Sequence, residues 1–235
     1  VSRLWFVKMT GTTLGIAGFF VAYFWVLRHP VFPVTVMPLT AADAWVAFRP
    51  EAFFLYVSLW LYVSLAPALL KNGREVASYG VASTVLAVAG LGVFILWPTA
   101  VPDFSLDWSA HPSLEFLKTV DVAGNACPSL HVAFAVFTAL WLERTLREMG
   151  ERGVVRLASG LWCLGIVYST LAIRQHVALD ALAGAMLGGA VAWLHMRWLD
   201  RAHRRAASPA NAASAARDPA PAETSAPPSL PALPR

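Results

Sequence analysis

Two short stretches of the chain carry residue types that could do chemistry. The first is Asn125-Ala126-Cys127-Pro128-Ser129-Leu130-His131, at the head of an apolar run. The second is Ser169-Thr170-Leu171-Ala172-Ile173-Arg174-Gln175-His176-Val177-Ala178-Leu179-Asp180, which joins two apolar runs. In the second, His176 and Asp180 are four residues apart, so a helix places them on one face. An aspartate inside a membrane helix is costly, about 2.5–3.5 kcal/mol at mid-helix, and needs a partner. If Asp180 accepts the Nδ1 proton of His176, the imidazole tautomer is set and Nε2 is left as base or nucleophile. A structural His–Asp pair near a helix end has the same spacing.

In the first stretch, Pro128 suits the opening of a helix, where its missing N–H costs nothing. The amides of Ser129, Leu130 and His131 would then be first-turn donors, and a helix N-terminus attracts anions. Ser129 adds a hydroxyl, and His131 can hold a proton above the anion. An ordinary capped helix with an interfacial histidine is the competing reading. Arg174 could pair its forked donors with phosphate oxygens, or simply anchor the interface. Lys118 is a second candidate cation by position. His131, His176 and Asp180 could also be read as a two-histidine, one-carboxylate metal site. Membrane iron enzymes usually carry more histidines, so no metal and no cofactor are expected. Cys127 and Cys163 have no metal-binding spacing. Cys163 reads as a buried apolar residue, and a disulfide between the two is not expected.

The elements that must position these residues are membrane helices. Of 235 residues, 57% are hydrophobic and 14% charged, against about 25% charged in an ordinary soluble domain. Apolar runs occupy residues 11–27, 51–70, 77–97, 129–142, 157–173 and about 177–196. A spanning helix needs about 20 residues, and the fold class expected is all-α, a polytopic bundle of six transmembrane helices. The first run could be a signal peptide. It is long for one and no small-residue cleavage site follows closely, so a retained helix is expected. The chain divides into an N-terminal helix and outer loop (1–50), a catalytic bundle (51–205) and an Ala/Pro-rich tail (206–235). The tail's composition cannot bury a core and predicts disorder.

Lysine and arginine set the orientation. With the N-terminus inside, twelve fall on inner segments and four outside (Arg28, Arg49, Lys118 and Arg174), with Arg217 and Arg235 in the tail. Positive charge marks the cytoplasmic side, so both ends are expected inside. The loop 98–127, the start of the fourth run and the turn before the sixth then share the outer face. The net charge of +4 is accounted for by this topology signal, and no nucleic-acid partner is expected.

Pro128-Ser129-Leu130-His131 together with Ser169, His176 and Asp180 resembles the second and third motifs of the type 2 phosphatidic acid phosphatase superfamily, which also contains vanadium haloperoxidases. With Leu130, and with Thr170 in place of an arginine, the pattern looks most like the inositol phosphorylceramide synthase branch. The resemblance covers roughly residues 50–200. The first motif, a lysine followed by Arg-Pro, is missing. Arg49-Pro50 has Ala42 at the lysine position and lies in another loop, and Pro98-Thr99-Ala100-Val101-Pro102 carries no cation.

The resemblance implies a lipid phosphatase; the Ala/Arg/Pro bias suggests a bacterial inner membrane, and the Lys/Arg asymmetry puts the site on its periplasmic face. His131, His176 and Asp180 would be catalytic. Ser129 and Leu130 would bind phosphate, and Arg174 and Lys118 are candidates for that role by position only. His176 would form a phosphohistidine, and the substrate would be a phospholipid or isoprenyl phosphate. The same residues would serve phosphoryl transfer to an alcohol. A non-catalytic transporter or assembly protein is the remaining alternative.

Overall fold

In the computed structural model, residues 4–120 and 124–206 are described. The tail expected to be disordered lies almost wholly outside them. The chain forms two compact units, Val1–His195 and Met196–Arg235. Among described residues the second contributes only the last turns of the final helix.

Helices dominate, as the apolar runs require. They are α1 (Trp5–Arg28), α2 (Ala41–Trp45), α3 (Phe53–Val57), α4 (Leu59–Leu69), α5 (Gly73–Leu96), α6 (Pro112–Val120), α7 (Leu130–Glu148), α8 (Gly153–Ala172) and α9 (Ala178–Ala206). Two-residue strands β1 (Thr35–Val36) and β2 (Thr99–Ala100) pair in parallel. They tie the segment after α1 to the segment after α5.

Among the described residues, five segments are long and apolar enough to cross a bilayer: Trp5–Arg28, Pro50–Leu69, Gly73–Leu96, Gly153–Ala172 and Ala178–Ala202. Six were expected, and the difference is α7. Its last turns carry Glu143, Arg144, Arg147 and Glu148. Ten of its residues are buried, so most of its surface meets protein. A helix wrapped by its neighbours has less need of an apolar exterior than one facing lipid.

The second span is interrupted. Ser58 separates α3 from α4, and its Oγ donates to Leu55 O at 2.6 Å. At one end of the bundle, Lys8 of α1 is buried and donates to Ala68 O at 2.9 Å and Leu70 O at 2.6 Å. It caps the carbonyls at the end of α4, where a cation also meets the helix dipole. Arg156 bonds both Glu143 oxygens at that end, at 3.0 and 2.9 Å, joining α7 to α8.

At the opposite end, α9 crosses α7 very closely. A Cβ built on Gly184 would strike the carbonyl oxygen of Ser129. One on Gly188 would strike that of Ala133. Two glycines four apart facing two carbonyls four apart let the backbones touch, the small-residue crossing typical of membrane helices.

Candidate active site

Asp180 lies in the first turn of α9 with no exposed surface. Its Oδ2 accepts the Val177 amide at 3.0 Å, the reach-back of an acid in a helix's first turn. The same oxygen is 3.6 Å from His176 Nδ1. That exceeds a hydrogen bond, and both Nδ1 and Asp180 Oδ1 are buried without a partner. Catalytic contacts often stand long in unliganded sites and tighten when substrate binds.

The turn carrying His176 is held by its own backbone. The amides of Gln175 and His176 both donate to Thr170 O at 3.1 Å, and Arg174 takes a left-handed φ of 59°. The hydroxyls of Ser169 and Thr170 donate back into α8, to Ile166 O and Val167 O.

The start of α7 differs from the sequence expectation. Ser129 is the N-cap, its Oγ accepting the Val132 amide at 3.3 Å, so Pro128 lies before the helix rather than in its first turn. A serine hydroxyl can cap the chain, and the helix starts after it. The Ser129 amide is not a free donor either, because it donates to Asp180 O at 2.9 Å. That bond staples the first turn of α9 to the cap of α7. The amides of Leu130 and His131 remain ahead of the first intrahelical acceptor.

His131 stacks on Tyr56, centroids 3.9 Å apart and planes at 11°, with Trp60 edge-on at 6.3 Å. Its Nε2 is 3.0 Å from Tyr56 O. A carbonyl only accepts, so Nε2 holds a proton and Nδ1 is the nitrogen able to exchange one. The bond from the Ser129 amide to Asp180 O joins the helix start that carries His131 to the one that follows His176. Tyr56 was not foreseen, since an aromatic in an apolar run gives no sign of its partner.

The two candidate cations lie beside the turn but bond backbone carbonyls. Arg174 donates to Val46 O at 2.7 Å and Asp43 O at 3.3 Å, over the Phe104 ring. Lys118 donates to Arg174 O at 3.0 Å. Arg49, set in another loop by the sequence pattern, arrives beside them. Its amide donates to Ala172 O at 2.9 Å and its side chain is exposed. The cation-free Thr99 is a brace, its Oγ1 accepting the Cys127 amide at 2.8 Å. Cys127 and Cys163 are buried thiols. Among the described residues no three His, Cys, Asp or Glu side chains group as metal ligands.

The arrangement places a histidine beside a buried carboxylate, a second histidine whose Nε2 meets a carbonyl, and the start of the helix that carries it. No curated protein and no solved structure matches the chain. A family model described as PAP2 superfamily matches residues 76–204, more than half of the chain, which therefore belongs to the PAP2 superfamily.

Proposed function

We propose that this chain is a membrane phosphatase acting on a lipid phosphomonoester or diphosphate. The observation that carries this is the stapled pair of helix starts. His176 lies two residues before α9, Asp180 lies in the first turn of α9 and His131 in that of α7, and the Ser129 amide bonds Asp180 O. Family membership supports phosphatase-type chemistry, and the apolar helices support a lipid substrate.

His176 Nε2 attacks phosphorus, and the bond to the leaving oxygen breaks. Asp180 holds Nδ1 and stabilises the charge that develops on the ring. His131, protonated on both nitrogens and stacked on Tyr56, delivers its Nδ1 proton to the leaving oxygen. Water then gives that proton back to His131 as it attacks the phosphohistidine, and the N–P bond breaks. Acid–base help of this kind is worth about 10²–10⁴ in rate. The Leu130 and His131 amides receive charge on the non-bridging oxygens, assisted by the Ser129 hydroxyl. Arg174 or Lys118 would have to leave a carbonyl to reach phosphate.

In the inner membrane, with α7 as a sixth crossing and both ends cytoplasmic, these residues face the periplasm. The skewed lysine and arginine distribution supports that orientation. An alcohol in place of water would make the enzyme a phosphotransferase, and Pro128-Ser129-Leu130-His131 favours that second reading. The test is phosphate release from phosphatidic acid and an isoprenyl diphosphate in detergent. Activity should vanish in His176→Ala, and unchanged activity in that variant would refute the mechanism.

A further inference from the structure

The catalytic turn is held from outside the segment that the family match covers. Asp43 lies in the first outer loop and is 5% exposed. Its Oδ2 accepts the Thr40 amide at 2.7 Å and the Thr40 hydroxyl at 2.8 Å, completing a capping box on α2. Its Oδ1 accepts the Ala178 amide at 2.7 Å. Ala178 is the first residue of α9, two past His176 and two before Asp180. The Asp43 carbonyl in turn accepts from Arg174, two residues before His176. A single loop residue thus grips the histidine's turn on both sides.

We propose that Asp43 is a positioning residue for His176. Its carboxylate bridges α2 to the N-terminus of α9 and holds the nucleophile's turn against the start of α7. The inference rests on His176 being the nucleophile. A helix of five residues has little stability of its own, so α2 is rigid enough to act only because loop and turn hold each other. Met37, earlier in the same loop, supports this by packing against Val101, Ala126, Cys127 and Val177.

Asp43→Asn is the informative variant because the side chain keeps its shape. All three partners of the carboxylate donate to it, and a carboxamide presents one oxygen and one NH2. One arm must fail. Thr40→Ala is the companion: it removes one bond on the α2 arm and leaves the Ala178 bond intact. Both would be purified as the full chain in detergent. Hydrogen exchange of the peptide covering residues 173–182 would be followed with turnover of phosphatidic acid.

In Asp43→Asn, faster exchange at the start of α9 is expected. So is a kcat about 10- to 100-fold lower, on the scale of a misplaced reacting group, with KM within about two-fold. Thr40→Ala should leave both close to wild type. A KM effect at unchanged kcat would overturn the proposal, as would faster exchange with normal kcat or an Asp43→Asn variant identical to wild type. If the wild-type chain released no phosphate, the proposed function would fall. The exchange arm would still decide whether Asp43 holds the turn.

Discussion

Replacing Gly184 by alanine is a sharp test of whether the crossing of α7 and α9 sets the catalytic geometry. The added Cβ would lie 3.1 Å from Ser129 C and 3.2 Å from Val132 Cβ, and would strike Ser129 O. A carbon and a carbonyl oxygen in favourable contact sit about 3.3–3.6 Å apart, so the helices must part by about 1 Å. Two of the three clashing atoms are backbone, and no rotamer change relieves them. The opening falls on the cap whose amide bonds Asp180 O at 2.9 Å, beside both histidines. Misplacement of about 1 Å costs on the order of 10² in rate, and overpacking costs about 1–3 kcal/mol of stability. Gly189→Ala is the control, since nothing lies within 4 Å of its Cβ. It should be neutral or stabilising by up to about 1 kcal/mol. The assay is kcat on phosphatidic acid with thermal unfolding in the same detergent. Wild-type kcat in Gly184→Ala would refute the idea that this contact positions the site.

Further outcomes follow from other contacts. Lys8→Met strips the Ala68 and Leu70 carbonyls of their donor and should lower stability by about 1–3 kcal/mol without changing KM, read by thermal unfolding. Tyr56→Leu removes the stacked ring from His131. It should flatten or shift the limb of the pH–rate profile due to the general acid, and an unaltered profile would contradict the stacking role. Burial pushes the Asp43 carboxyl up, but the Thr40 and Ala178 hydrogen bonds and the Arg174 charge outweigh it and hold the group below its ordinary value of 3.8. A depressed carboxyl stabilises the fold above that value, and the contribution is lost as pH falls through the lower folded pKa. Asp43→Asn should therefore show a shallower loss of thermal stability below about pH 4 than wild type, by unfolding scans across pH.

The interval of His176 and Asp180 was legible in the sequence, but the expected shared helical face was not formed: His176 lies two residues before α9, and a turn brings its Nδ1 to 3.6 Å from Asp180 Oδ2. The helical architecture showed because lipid demands long apolar runs. Three features did not. The start of α7 depends on which residue caps it, and with Ser129 as the cap the helix begins at Leu130, two residues past Pro128. The partners of Arg174 are backbone carbonyls at Asp43 and Val46, which have no side-chain signature. Tyr56 stacks on His131 from another helix, and an aromatic in an apolar run carries no sign of such a partner. The α7–α9 contact had a readable sign in Gly184-Ala185-Met186-Leu187-Gly188, two glycines one helical turn apart.

The most direct measurement is mass spectrometry of the enzyme quenched during turnover, asking which residue carries the phosphoryl group. The expected result is a phosphorylated peptide with the modification on His176, lost in His176→Ala. It should accumulate when His131→Ala slows the second step. A phosphoryl group on another residue would contradict the assignment, as would turnover with full rate and no modified peptide.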